Sequence, residues 1–195
     1  IAADGGSASQ ACVGGGSGGS VHLVVDTLSG SGAIRANGGT NFGCNLSAAG
    51  GGGRVAVYYA EKTQFTGKVE ARGAAGPISD DAWHYSGAGT MYLKKANDAQ
   101  GELIIDNGGI GTPDWSTPLP AQGILRLQSW TISGSARVLT TDGVRVVNGD
   151  PSLFQGLISS NYLQVGSLVV SNTWVLGDVI ELSASRSNGA FCYPF

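Results

Sequence analysis

Apolar residues in this chain fall in short alternating runs framed by glycine, and the runs recur. Val21, Leu23 and Val25 alternate with His22 and Val24 behind Gly18-Gly19-Ser20, and Val55, Val57 and Tyr59 alternate with Ala56 and Tyr58 behind Gly52-Gly53-Arg54. A period of two is the pattern of a half-buried strand. Each run is followed by a small cluster, Leu28-Ser29-Gly30 in one copy and Phe65-Thr66-Gly67 in the next. A second short run then closes each copy, Ala33–Gly39 and Lys68–Gly73. The offset is 34 residues from Val21 to Val55 and 35 from Gly38 to Gly73. A third, looser copy runs from Gly87 to Lys94 and from Gly101 to Gly108. Self-similarity at a fixed spacing marks stacked units, none of which buries its apolar face alone, so the pattern predicts a solenoid. In register, Val21, Val55 and Met91 stack in one ladder, and Ile34, Val69 and Leu103 in another.

The texture changes at the prolines. Residues 1–110 carry the glycine-rich repeats, 111–123 form a proline-containing loop, and 124–195 hold short alternating runs separated by Gly, Asn, Asp and Ser. Within that last region Trp130–Leu139 matches Leu168–Leu176 at an offset of 38. Asn-Gly pairs begin at Asn37, Asn107, Asn148 and Asn188. They suit corners that need positive φ, and equally the hairpins of an antiparallel β-sandwich, the alternative fold.

With 33 glycines, 42% hydrophobic and 13% charged residues, the chain is too apolar for disorder and too poor in helix formers for a bundle, so it reads as all-β. The net charge is −3, and the Lys and Arg residues are scattered singly. That argues against nucleic acid and anionic lipid as partners, which call for a basic stripe. No apolar window is long enough for membrane insertion. Ile1–Gly6 lacks the features of a signal peptide and Met91 is the sole methionine, so the chain is expected to be a processed product or a piece of a longer one. Of three cysteines, Cys12 and Cys44 stand 32 residues apart, near one repeat, which would stack them for a disulfide; three reduced thiols are the other reading.

Candidate chemistry is sparse. Gly14, Gly16 and Gly19 satisfy the spacing of a dinucleotide-binding turn, without the preceding strand and following helix that the motif requires. His22 and His84 are the only histidines, no Cys or His pair has zinc spacing, and His22 sits in a strand alternation that turns it to solvent. Asn45-Leu46-Ser47 is a glycosylation sequon. The one constellation of interest is Pro77–Tyr85, an insertion between the second and third copies. There Asp80 and Asp81 offer oxygen ligands to Ca²⁺, the single candidate cofactor, and Trp83, His84 and Tyr85 offer rings to a glycan. The plainer reading is a solvated turn. No column of carboxylates recurs at the repeat spacing, so a polysaccharide lyase or hydrolase is the third function considered, and no catalytic residue is assigned. Phe191, Tyr193 and Phe195 end the chain in an aromatic tail, which either packs on an adjacent copy or domain as a self-association site or folds back on its own last coil.

The segments Gly18–Gly39, Gly50–Tyr59 and Gly87–Lys94, with Leu168-Val169-Val170-Ser171-Asn172 later on, resemble the glycine-rich β-helical regions of large secreted bacterial surface proteins, adhesin-like in organisation. The resemblance covers most of the chain. Asn41–Leu46 departs from it, interrupting a stretch expected to be almost pure glycine. The resemblance implies a right-handed parallel β-helix and an extracellular or cell-surface location, and no activity. The expectation is therefore an extracellular structural component, part of a rod or filament, whose partners are copies of itself or adjacent domains. A carbohydrate-binding or adhesive module is the alternative.

Overall fold

In the computed structural model the described residues are 1–10, 12–42, 47–76, 85–111, 115–119, 125–140, 144–147, 157–165, 168–175 and 179–182. Among them the chain is strand-rich, with fourteen strands and no helix. The sheets are mixed, with parallel and antiparallel pairs.

The repeats of the sequence become a stack. Strands β1 (Ser20–Gly30), β3 (Arg54–Phe65) and β5 (Thr90–Lys95) pair in parallel, with Val21 beside Val55 beside Met91 and Leu23 beside Val57 beside Leu93. Across the core, β2 (Ala33–Arg35) and β4 (Lys68–Glu70) pair in parallel with Ile34 beside Val69, and Ala2 bridges to Arg35. The first ladder stands as the spacing predicts. Val21, Leu28, Ile34, Ala36, Val55, Val57, Ala71, Met91 and Leu93 form one buried cluster between these two sheets. Fully burying a side chain of that size contributes about 1.5–3 kcal/mol, which no single coil could collect.

Between the strands, glycine-rich segments hydrogen-bond on a different period. Gly15 and Gly18 donate to the carbonyls of Ala48 and Gly51, whereas Gly16 and Gly19 donate to Gly6 and Ala3. Each neighbour is thus met at every third residue, and the residues between turn to other neighbours. The same interval joins Gly50 and Gly53 to Gly39 and Ala36, and Ser86 and Gly89 to Ala74 and Ala71. Three residues per turn is the period of polyproline II, not of a strand. One run of bonds crosses the whole layer: Gly16 donates to Gly6, Gly39 to Gly16, Gly50 to Gly39, Ala74 to Gly50 and Ser86 to Ala74.

Glycine is needed here for proximity. A Cβ on Gly50 would fall on the Gly16 carbonyl, one on Gly38 on the Gly50 carbonyl, and one on Gly53 on the Gly19 carbonyl. The first Asn-Gly pair is accordingly no positive-φ corner: Gly38 is there because a backbone passes against it, and the Asn37 Oδ1 accepts the Arg72 N–H of the next coil at 2.8 Å. At the second pair both devices operate, since Gly108 has φ +62° and the fully buried Asn107 accepts the Gly73 N–H at 2.9 Å. Asn148 and Asn188 lie outside the described residues.

The stack of parallel repeats ends at a hairpin. β6 (Glu102–Asp106) runs antiparallel to β5, placing Leu103 opposite Tyr92, and continues the sheet through parallel pairing with β9 (Ser129–Ser133). Leu103 therefore does not join Ile34 and Val69, because the chain has doubled back before reaching it. Cross-strand partners share a face. Ile104, opposite Met91, packs on the first core, while Leu103 and Ile105, beside Trp130 and Ile132, are buried on the other face.

Beyond the hairpin, β7 (Thr117–Leu119), β10 (Arg137–Thr140), β12 (Leu157–Val165) and β13 (Leu168–Val175) form one sheet. A smaller one holds β8 (Leu125–Leu127), β11 (Val144–Val147) and β14 (Val179–Leu182). The proline-containing stretch thus holds a short strand, β7, and its edge position is where the N–H that Pro118 lacks matters least. The matching runs at Trp130 and Leu168 do not stack on each other. β13 instead pairs antiparallel with β12, Leu168 beside Val165.

Candidate functional site

Alternation over Ser20–Val25, Arg54–Tyr59 and Thr90–Lys94 turns odd-numbered residues to the core and leaves Ser20, His22, Val24, Arg54, Ala56, Tyr58, Thr90, Tyr92 and Lys94 on the outer face. Parallel in-register pairing turns these into columns across the coils. Ser20, Arg54 and Thr90 form the first, His22, Ala56 and Tyr92 the second, and Val24, Tyr58 and Lys94 the third. The rings meet diagonally: His22 and Tyr58 lie edge to face at 5.4 Å between centroids, and Tyr58 and Tyr92 at 5.9 Å. Such pairs are worth about 0.5–1.5 kcal/mol each, enough to hold three rings as a fixed stripe. Val24, beside Tyr58, is 69% exposed.

The first column borders a groove of about 360 Å³. Its floor is the backbone of Gly18, Gly19, Gly52, Gly53 and Gly89, and Thr117 and Pro118 line it from β7. The Thr117 hydroxyl donates to the Ala88 carbonyl, tying β7 to the third coil. Outside the groove, Tyr92 packs over the β5–β6 turn, where a Cβ on Gly101 would strike its ring. Burial pushes the Tyr92 phenol up from its usual value, Tyr58 beside it adds to the rise, and a hydrogen bond with the Gly101 backbone offsets part of it. The face therefore offers aromatic rings, hydroxyls and two cations.

The residues singled out in the sequence fare differently. Asp80, Asp81, Trp83 and His84 lie outside the described residues. Tyr85 is half-buried at the head of the segment leading to β5, one residue before Ser86, whose hydroxyl donates to Ala49. Among the described residues no three His, Cys, Asp or Glu side chains gather as a metal site. Cys12 is disulfide-bonded, while Cys44 and Cys192 lie outside the described residues, as do Phe191, Tyr193 and Phe195. His22 faces solvent, as its place in the alternation predicts. Apolar periodicity alone does not pick out the outer stripe, although its signal is in the sequence: His22 to Tyr58 is 36 residues and Tyr58 to Tyr92 is 34, a ring recurring at the repeat spacing.

Comparison of the chain with protein-family models, with curated proteins and with solved structures gives no match. No helix among the described residues is long and apolar enough to cross a membrane.

Proposed function

We propose that this chain is a structural component of an extracellular or cell-surface assembly, a right-handed parallel β-helix whose stacked coils form a stiff length of rod or filament. The observation that carries the reading is the stacking of Val21, Val55 and Met91 at one-repeat intervals, together with backbone hydrogen bonds that run from coil to coil through the glycine layer. Such a stack resists bending because every coil is bonded to the next along its length. The right hand follows the general preference for parallel crossovers. The extracellular location rests on the resemblance to glycine-rich surface proteins.

Self-association fits the same reading. β1 is the edge of its sheet and eleven residues long, so it leaves one row of N–H and C=O groups open to a further strand. Its occupant in this proposal is another coil, from a second copy or an adjacent domain, with the aromatic tail Phe191, Tyr193 and Phe195 as a further contact. The test is electron microscopy of the native material with diffraction from an aligned specimen. Rods with an axial repeat of about 4.8 Å, the spacing of paired strands, support the proposal, and globular particles without it overturn it.

A carbohydrate-binding function is favoured by one specific observation, the ring stripe His22, Tyr58 and Tyr92 on an accessible face. The Asp80–Tyr85 loop stays a second candidate for glycan or Ca²⁺. Replacing Trp83, or Asp80 and Asp81, by Ala separates it from the stripe: loss of glycan or Ca²⁺ binding in these variants places the ligand on the loop, and unchanged binding removes the loop from consideration.

A further inference from the structure

We infer that the outer face of β1, β3 and β5 is a docking site for an acidic polysaccharide, one bearing carboxylates on its sugar rings. This stands independently of the rod proposal, since it needs only three paired strands. Three features converge on one surface. The rings of His22, Tyr58 and Tyr92 supply flat apolar area on which the C–H face of a sugar can lie. Ser20 and Thr90, beside the 360 Å³ groove, supply hydroxyls for those of the sugar. Arg54 and Lys94 supply the charge.

Those two cations decide the class of ligand. The protein carries a net charge of −3, and Arg35, Arg72 and Lys95 are each paired, with Asp4, Glu70 and Glu61. Among the described residues Arg54 and Lys94, like Lys62 and Lys68 elsewhere, enter no ion pair, and they flank the stripe on opposite sides, Arg54 beside Thr90 and Lys94 beside Tyr58. The register sets their Cα atoms about 14 Å apart, from four residues of strand rise and one strand spacing. Among the described residues the outer columns of β1, β3 and β5 from Ser20 to Val24 hold no carboxylate. A guanidinium presents a planar fork that meets a carboxylate in two hydrogen bonds, so Arg54 can anchor a uronate. Two cations between rings and hydroxyls are too few for a nucleic-acid footprint, which is a basic stripe.

The site's rings cross the coils from the first repeat to the third, and its two cations are set apart mainly along the strands, so a ligand that meets both is longer than one sugar. The site's end wall is Thr117 and Pro118. A polymer fits this geometry better than a single sugar.

The experiment is titration calorimetry of the intact chain against polygalacturonate at low salt, with dextran, dextran sulfate and a thymidine oligonucleotide as comparators. Binding of polygalacturonate, absence of dextran binding and weaker binding of the other polyanions are expected. Arg54→Glu and Tyr58→Ala should each weaken polygalacturonate binding by about tenfold or more. Arg54 is exposed, so its variant keeps the fold, and its unchanged melting temperature separates lost binding from lost structure. Absence of polygalacturonate binding, binding insensitive to Arg54→Glu, or equal binding of the oligonucleotide or dextran sulfate overturns the inference.

Discussion

Tyr92 and Leu103 are partners across the β5–β6 hairpin and share one face of the sheet, yet Tyr92 is part of an accessible surface and Leu103 is buried. The sheet is covered on one side over β1, β3 and β5 and on the other over β6 and β9, and the switch falls between these two residues. Leu103-Ile104-Ile105 shows how one strand serves both: its outer pair belongs to the second buried set and its middle residue to the first core.

The two cores should therefore respond independently. Met91→Ala and Ile132→Ala remove buried side chains from opposite faces, and each is expected to cost about 2–5 kcal/mol. In urea unfolding the double variant should lose the sum to within about 0.5 kcal/mol, whereas a coupling of more than ~1 kcal/mol would show that the cores act as one.

Adjacent glycines should differ sharply. A Cβ on Gly50 meets the Gly16 carbonyl, while one on Gly51 comes no nearer than 3.8 Å to any heavy atom outside its chain neighbours. Gly50→Ala is expected to destabilise by about 3 kcal/mol or to prevent folding, and Gly51→Ala to stay within about 1 kcal/mol of the parent. Equal effects in denaturant titrations would refute the close-packed layer.

Asn107 holds three backbone groups at once. It accepts from Gly73 and donates to the carbonyls of Ser86 at 3.1 Å and Ile110 at 2.8 Å. Asn107→Ala leaves these groups unpaired around a fully buried position, for an expected loss of about 3 kcal/mol or more. Asn107→Asp keeps the acceptor and loses the donors, so it should destabilise as well. Thermal unfolding of both variants checks this.

Alkaline pH should loosen the first core. Burial raises the Tyr59 phenol above its ordinary value, and Asp98 and Glu102 add to the rise. Because the folded state keeps the proton more tightly than the unfolded chain, the stabilisation is complete below about pH 10 and is lost as pH rises through the folded value. Tyr59→Phe should flatten the fall in melting temperature above that pH, and an unchanged alkaline slope would exclude Tyr59 as its source.

The sequence made Val21, Val55 and Met91 readable as a ladder because side chains alternating with period two announce their face and the copies keep register. It could not place Leu103, since an unbroken Leu-Ile-Ile run names no face and the turn at residues 96–101 reverses the chain without Asn-Gly or proline. The period of three in the glycine segments was hidden for a different reason. Glycine has no side chain to carry a pattern, so only the hydrogen bonds reveal it. The outer stripe is legible in principle, but its rings recur on the polar side of each run, where no apolar alternation marks them as a set.

The glycine layer also has a thermal consequence. When it comes apart it exposes mostly peptide groups, and hydrating polar surface lowers the heat capacity where hydrating hydrocarbon raises it. The heat-capacity increment of unfolding should therefore fall below the usual ~12–15 cal/mol/K per residue, which scanning calorimetry reads directly. A small increment flattens the stability curve, so this wall of bare backbone should hold nearly as well in the cold as in the warm, where a protein resting on hydrocarbon burial alone weakens at both ends.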